Sequence, residues 1–318
     1  MPGNIRIGTR GSELALRQTH YVKTLMENRF PGIVIDVQII KTTGDTILDS
    51  PLAEIGDKGL FTKELEEALL DGRIDSAVHN CKDIPAVIPE DIRIASVLER
   101  EDTRDVFIGH PKNPHRLFMS LPGSAVIATG SLRRRCQILN ARQDIQIVDI
   151  RGNIRTRFKK LDESNWAGII LAKAGITRLD CTQRITEILP HEIMLPAAGQ
   201  GALAVEIRNG DKRIEELLRP LHHIPTALSV TAERSLLRRL EGGCQIPIGA
   251  YGQLQGDELR LDAMIGSLDG KRIVKGNRTG SRTGAEQIGI ELAEELLSRG
   301  GKEILNEIRY SSPKSKWI

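Results

Sequence analysis

Two stretches of this chain run through the same order of local patterns, and that order limits the fold more than any other feature. Residues 5–9 alternate as a strand, pass Arg10 and Gly11, and enter a helix pattern behind Ser12, with apolar positions at Leu14, Val22, Leu25 and Met26. Ser12 suits an N-cap, where a short side-chain oxygen accepts a free backbone N–H. Pro31-Gly32 stops the helix, and Ile33, Ile35, Val37 and Ile39 alternate as a second strand closed by Thr42-Thr43-Gly44-Asp45. A helix over 62–70, stopped at Gly72, and a buried strand over 75–78 follow. From residue 125 the pattern restarts: strand 125–129, Gly130-Ser131, a helix carrying Arg133, Arg134 and Arg135, strand 144–150, Arg151-Gly152-Asn153, a basic helix and strand 168–172. Strand and helix in alternation predict an α/β fold with mostly parallel sheets and helices on their faces. Helix N-termini at strand ends attract anions, so two such lobes facing each other predict a cleft for something negative.

The strand ends carry the chemistry. In Ala77-Val78-His79-Asn80-Cys81-Lys82-Asp83-Ile84-Pro85 a buried strand gives way to a cation beside a carboxylate, and Pro85 keeps the strand from continuing. Open α/β sheets bind ligands at such carboxyl ends. An isolated Lys-Asp pair is ordinarily a solvated turn, and a single arginine ordinarily a solvated side chain. Here Arg10, Lys58, Lys82, Arg133, Arg134, Arg151 and Arg157 all fall at strand ends, in loops or in first helical turns. Arginine suits bidentate carboxylate or phosphate binding. No G-x-x-x-x-G-K-[ST] is present, so a nucleotide P-loop is not supported. A net charge of +3 and an aromatic share of 3% disfavour a nucleic-acid surface.

Leu195-Pro196-Ala197-Ala198-Gly199-Gln200-Gly201-Ala202 suits a crossing between lobes or a close backbone approach, and 203–207 reads as a strand returning to the first lobe. From Thr226 the character changes. A helix over 228–240 is followed by Gly242-Gly243-Cys244, strands over 258–265 and 272–275 joined at Asp269-Gly270, and an amphipathic helix over 285–297. This predicts a smaller α+β domain. The four cysteines, Cys81, Cys136, Cys181 and Cys244, form no C-x-x-C pair, against zinc or a disulfide framework. Cys244, on a glycine loop, is open to two readings: a small buried hydrophobe, or a thiol projecting as nucleophile or attachment point. Lys82 should favour the Cys81 thiolate. A polar start running straight into a strand, and no apolar run of membrane-spanning length, lead to the expectation of a soluble, cytoplasmic protein without membrane contact.

Taken together, RIGTRGSELAL, GDKGLFTKELEEALL, AVHNCKDIP, EREDTRDVF, GSLRRRCQ, RGNIRTR, LPAAGQGAL and TAERSLLRRLEGGCQIPIGAY resemble the hydroxymethylbilane synthase (porphobilinogen deaminase) family over nearly the whole chain. The resemblance implies two lobes like those of type II periplasmic binding proteins and a small C-terminal domain: 1–99 with 200–218, 104–195 and 223–310. It implies a monomeric transferase that joins four porphobilinogen molecules head to tail, with loss of ammonia, into the linear tetrapyrrole hydroxymethylbilane of haem biosynthesis. The growing chain would hang from one dipyrromethane cofactor, held by a thioether to Cys244, with no metal. By motif Asp83 is catalytic, and Arg10, Ser12, Lys58, Lys82, Ser131, Arg133, Arg134, Arg151, Arg157 and Gln200 bind acetate and propionate groups. The sequence departs from the family's HSMKD at Asn80 and Cys81, and from its TSSLRR at Gly130. Two rivals stand against this reading. A carboxylate-binding protein without catalysis would not require Asp83 or Cys244, and a nucleic-acid binder would use the arginine helices.

Overall fold

The computed structural model describes residues 4–43, 62–113, 116–241 and 246–311. In chain order the elements are β1 (Ile5–Thr9), α1 (Glu13–Arg29), β2 (Ile35–Ile39), α2 (Lys63–Leu70), β3 (Ser76–Asn80), β4 (Ile92–Val97), β5 (Asp105–Gly109), β6 (Val126–Ala128), α3 (Leu132–Ala141), β7 (Gln146–Val148), α4 (Ile154–Asp162), β8 (Gly168–Ala172), α5 (Lys173–Arg178) and β9 (Glu187–Ile188). Then come β10 (Leu203–Arg208), α6 (Lys212–Leu218), α7 (Ile224–Arg239), β11 (Ile248–Gln255), β12 (Glu258–Gly266), β13 (Ile273–Ser281), α8 (Ala285–Leu296) and α9 (Lys302–Ser311). The chain divides into two compact units, one within 1–49, 58–101 and 199–227, the other taking in 102–198 and 228–318.

The first unit holds a five-stranded sheet in the order β2-β1-β3-β10-β4. β2, β1 and β3 are parallel, and β10 enters antiparallel between β3 and β4. Alternate side chains serve opposite faces. Ile5, Ile7, Val78, Val205 and Ile207 meet Val22 and Met26 of α1, whereas Ala77 packs with Leu65, Ala68 and Leu69 of α2. Burying each large aliphatic side chain contributes about 1.5–3 kcal/mol.

The second unit holds a sheet of the same plan, β7-β6-β8-β5-β9, with β5 the antiparallel strand. Its core joins Phe107, Ile127 and Ile170 of the sheet to Ile138 of α3. The same unit contains the antiparallel meander β11-β12-β13. Leu236 of α7, Leu292 and Leu296 of α8, and Ile304 and Ile308 of α9 pack there with Leu259, Leu261 and Ile265.

The α/β class and the mainly parallel sheets agree with expectation, and several boundaries do not. The strand expected over 144–150 pairs in the sheet ladder only over Gln146–Val148. α7 starts at Ile224 rather than 228, because Pro225 lies in a first turn, where its missing N–H costs nothing. β13 continues to Ser281 through a polar, largely exposed run that its ladder with β12 holds, not its side chains. β4, β5, β9 and β11 have no counterpart in the sequence reading.

Candidate active site

The first unit presents a carboxylate at the end of β3. This strand is buried along most of its length, and at Asn80 the chain turns through a single 3-10 turn, Cys81–Asp83. Residues 199–202 brace that turn from behind. Gly199 has φ +75°, and a Cβ there would stand 2.9 Å from Cys81 Sγ and 3.0 Å from Lys82 N. Gly201 has φ +90°, and a Cβ would stand 2.5 Å from the Glu101 carbonyl. Only glycine tolerates both the approach and the dihedral. The Cys81 N–H donates to Ala202 O at 3.0 Å, and Arg100 Nε to Gln200 O at 2.8 Å. Lys82 Nζ lies 3.4 Å from Gln200 Oε1.

Asp83 is half-buried, and its Oδ2 accepts from Asn80 Nδ2 at 3.1 Å. Asn80 Oδ1 in turn accepts from Gln18 Nε2 of α1 at 2.6 Å. One residue earlier, His79 Nε2 stands 3.0 Å from Glu206 Oε2 of β10, both side chains buried. Ser12 caps α1, its Oγ accepting from Ala15 N at 3.3 Å, with Arg10 half-buried just before it. Cys81 is 1% exposed, so the expected reactive thiolate is instead a buried side chain under Gly199.

The second unit presents cations. Ser131 caps α3 as Ser12 caps α1, with Oγ accepting from Arg134 N at 3.4 Å. Arg133 and Arg134 are buried, and both bind Asp105, which is fully buried at the start of β5. Arg133 Nη1 donates to Asp105 Oδ2 at 2.8 Å and to Leu195 O at 2.6 Å. Arg134 Nη2 donates to Asp105 Oδ1 at 2.8 Å, and its Nη1 to Ile170 O at 3.1 Å. Burial alone would raise the Asp105 carboxyl; the two guanidinium charges and their hydrogen bonds outweigh it and hold the group well below the usual carboxylate range. Arg134 Nε is buried without a hydrogen-bond partner among the described residues. Asn153 caps α4, and Arg157 Nε donates to Gly152 O at 2.8 Å, with Arg151 half-buried at the head of the same turn. At Gly130 a Cβ would stand 2.9 Å from Ile150 O, so glycine there serves close packing of two strand ends.

Lys58 and Cys244 lie outside the described residues. The structure brings Lys82, Asp83 and Gln200 together in one unit and Ser131, Arg133 and Arg134 in the other.

Comparison with known proteins decides what this chemistry belongs to. Residues 5–216 match the family model "porphobilinogen deaminase, dipyromethane cofactor binding domain", and residues 227–298 match "porphobilinogen deaminase, C-terminal domain". The chain belongs to the porphobilinogen deaminase family. It is 50% identical over 313 residues to the porphobilinogen deaminase of Chlorobium phaeobacteroides, covering 97% of this chain and 99% of that one. With that of Chlorobaculum parvum it shares 51% over 314 residues, again 97% and 99%. Similar solved structures include the periplasmic aliphatic sulphonate binding protein SsuA of Escherichia coli, at 16% identity over 76% of this chain and 71% of that one, TM-score 0.39. Another is the Bordetella pertussis BvgS VFT2 domain, at 12% over 68% and 84%, TM-score 0.42. The fold assignment rests on the strand orders above, not on these partial likenesses.

The residues of the second unit fit a polycarboxylate cofactor. The buried Arg134 Nε–H is an unspent donor on a cation, next to the cap of α3. Sequence reasoning missed Asp105 and Gln18. Asp105 left a signal, an acid opening the apolar run Val106-Phe107-Ile108, and Gln18 left another, an amide on the face of α1 that carries Leu14 and Val22.

Proposed function

We propose that this chain joins four porphobilinogen molecules head to tail, releasing ammonia at each addition, to give hydroxymethylbilane for haem synthesis. The observation that carries this is the match to porphobilinogen deaminases over 97% of its length. The dipyrromethane cofactor, when bound, supplies the primer pyrrole to which substrate is added. The remaining chemistry belongs to side chains of this protein. As the protonated amino group on the aminomethyl arm of porphobilinogen leaves as ammonia, the carbon–nitrogen electron pair goes with nitrogen and a methylene-pyrrole cation remains. Asp83, as a carboxylate beside the pyrrole nitrogen, stabilises that cation, a contribution worth about 2.7–4 kcal/mol, or roughly 10²–10³ in rate. It also passes protons to the leaving amine and from the new junction, which adds ~10²–10⁴. Lys82, held toward Gln200, serves a substrate carboxylate and is barred by its sign from Asp83's role. Arg10, Ser12, Lys58, Ser131, Arg133, Arg134, Arg151, Arg157 and Gln200 hold the acetate and propionate groups. Arg133 and Arg134 do so as a positively charged pair already anchored on Asp105.

Cys244 is the attachment point. The other three cysteines are buried, and burial pushes the Cys136 thiol up to about 12, whereas a thioether needs a sulfur that reaches the growing chain. The chain works as a cytoplasmic monomer of three domains, 1–99 with 200–218, 104–195 and 223–310; among the described residues no helix is long and apolar enough to cross a membrane. The mass of denatured protein tests the assignment. Wild type should carry one dipyrromethane adduct and consume porphobilinogen, and Cys244→Ser should carry none and be inactive. An intact adduct in Cys244→Ser would move the attachment elsewhere, and no adduct on wild type would remove the proposed function.

A further inference from the structure

We propose that Asn80 and Gln18 form a positioning relay for Asp83, in which Gln18 orients the Asn80 amide and that amide fixes the carboxylate; the proposal rests on Asp83 being the catalytic group. Three observations carry it. Asn80 stands at the N-cap of the Cys81–Asp83 turn, yet its side chain makes no cap bond to the turn's backbone. It donates instead to Asp83 Oδ2 at 3.1 Å, and no second hydrogen bond to Asp83 is made among the described residues. Gln18 is 3% exposed, so its amide is held in place on α1, and it reaches Asn80 Oδ1 at 2.6 Å.

The direction of the relay follows from charge. A carboxylate only accepts, so the Asn80 amide must present nitrogen to Asp83 and oxygen to Gln18. The Gln18 amide must then present nitrogen to Asn80. Each amide is thus locked by the next, starting from the charge on Asp83. The bond occupies one carboxylate oxygen, stops rotation of the group, and leaves Oδ1 to meet substrate.

The test uses holoenzyme, with cofactor loading checked by mass, and deamination followed over a range of substrate concentrations. Asn80→Leu should slow deamination on the order of tenfold or more, the loss expected for one hydrogen bond to a charged group. KM should move less than about twofold, because what is lost is transition-state stabilisation. Asn80→Ser keeps a hydroxyl donor on the same turn and should recover most of the rate; equal losses in Leu and Ser variants would assign the effect to packing and overturn the relay. Combined with Asp83→Asn, Asn80→Leu should cause little further loss, and a full additional loss would also overturn it. If Asp83→Asn is nearly inactive while Asn80→Leu matches wild type in rate, the relay fails and the catalytic reading of Asp83 stands. If Asp83→Asn itself deaminates within about tenfold of wild type, well short of the 10² expected from charge, both fail.

Discussion

The sheets of the two units share a strand order and a serine cap, but handle charge at the strand ends in opposite ways. In the first, β3 runs out into a turn that offers Asp83 to its surroundings, held by one neutral amide. In the second, β8 ends at Ala172, and the next side chain, Lys173, is tied to Asp102 at 2.7 Å. The antiparallel strands differ too. β10 places Leu203 opposite Asn80, whereas β5 places Asp105 opposite Ala172. An acid at that height, away from water, must be neutralised, and the first turn of α3 supplies two arginines to do it. One plan therefore yields a lightly held carboxylate in one unit, and in the other an acid spent on orienting cations.

That contrast predicts opposite consequences for the two aspartates. Asp105→Ala leaves two buried guanidiniums uncompensated and should destabilise the protein by about 3–5 kcal/mol, read as a fall in denaturant midpoint. Asp83→Ala removes a single hydrogen bond and should cost less, about 0.5–1.5 kcal/mol by the same measurement. Activity should reverse the ranking. Asp83→Asn, folded and cofactor-loaded, should lose roughly 10²–10³ in single-turnover deamination. If Asp83→Ala proves as destabilising as Asp105→Ala, the contrast between the two strand ends is wrong.

Acid should weaken the charge network of the second unit. The folded Asp105 carboxyl lies below its unfolded value, so its contribution is fully present above about pH 4 and is lost as pH falls below that toward the folded value. Asp102 is also lowered, first by its hydrogen bond from Arg104, with burial opposing and Lys173 assisting, and adds to the same loss. Denaturant midpoints should therefore decline below about pH 4 in wild type and more gently in Asp105→Asn, which has no charge there to lose. The smallest effects probe what the lobes share. Ser12→Ala and Ser131→Ala should each cost about 1 kcal/mol, the usual worth of an N-cap. Clearly unequal costs would show that the two caps, alike in geometry, differ in what their helices rely on.

Much of this protein is legible from short stretches of chain. Strand alternation, the caps at Ser12, Ser131 and Asn153, and the turn after β3 depend on residues three or four apart, so local chemistry determines them. The coincidence of cations with strand ends was legible for the same reason, and it pointed to a bound anion before any contact was known. The tertiary structure decided the rest. Spacing alone does not tell that Arg133 and Arg134 are anchored on a buried acid, Asp105, 28 and 29 residues away. Asn80 reads as a departure from a motif until Gln18, 62 residues earlier, is found holding its amide. Gly199 reads as a hinge residue until the turn of Cys81 and Lys82 is found lying against it. In each case the function of a polar or small residue depends on which groups replace the water it loses on burial. Those groups are chosen by the packing of distant segments, and spacing along the chain does not encode them.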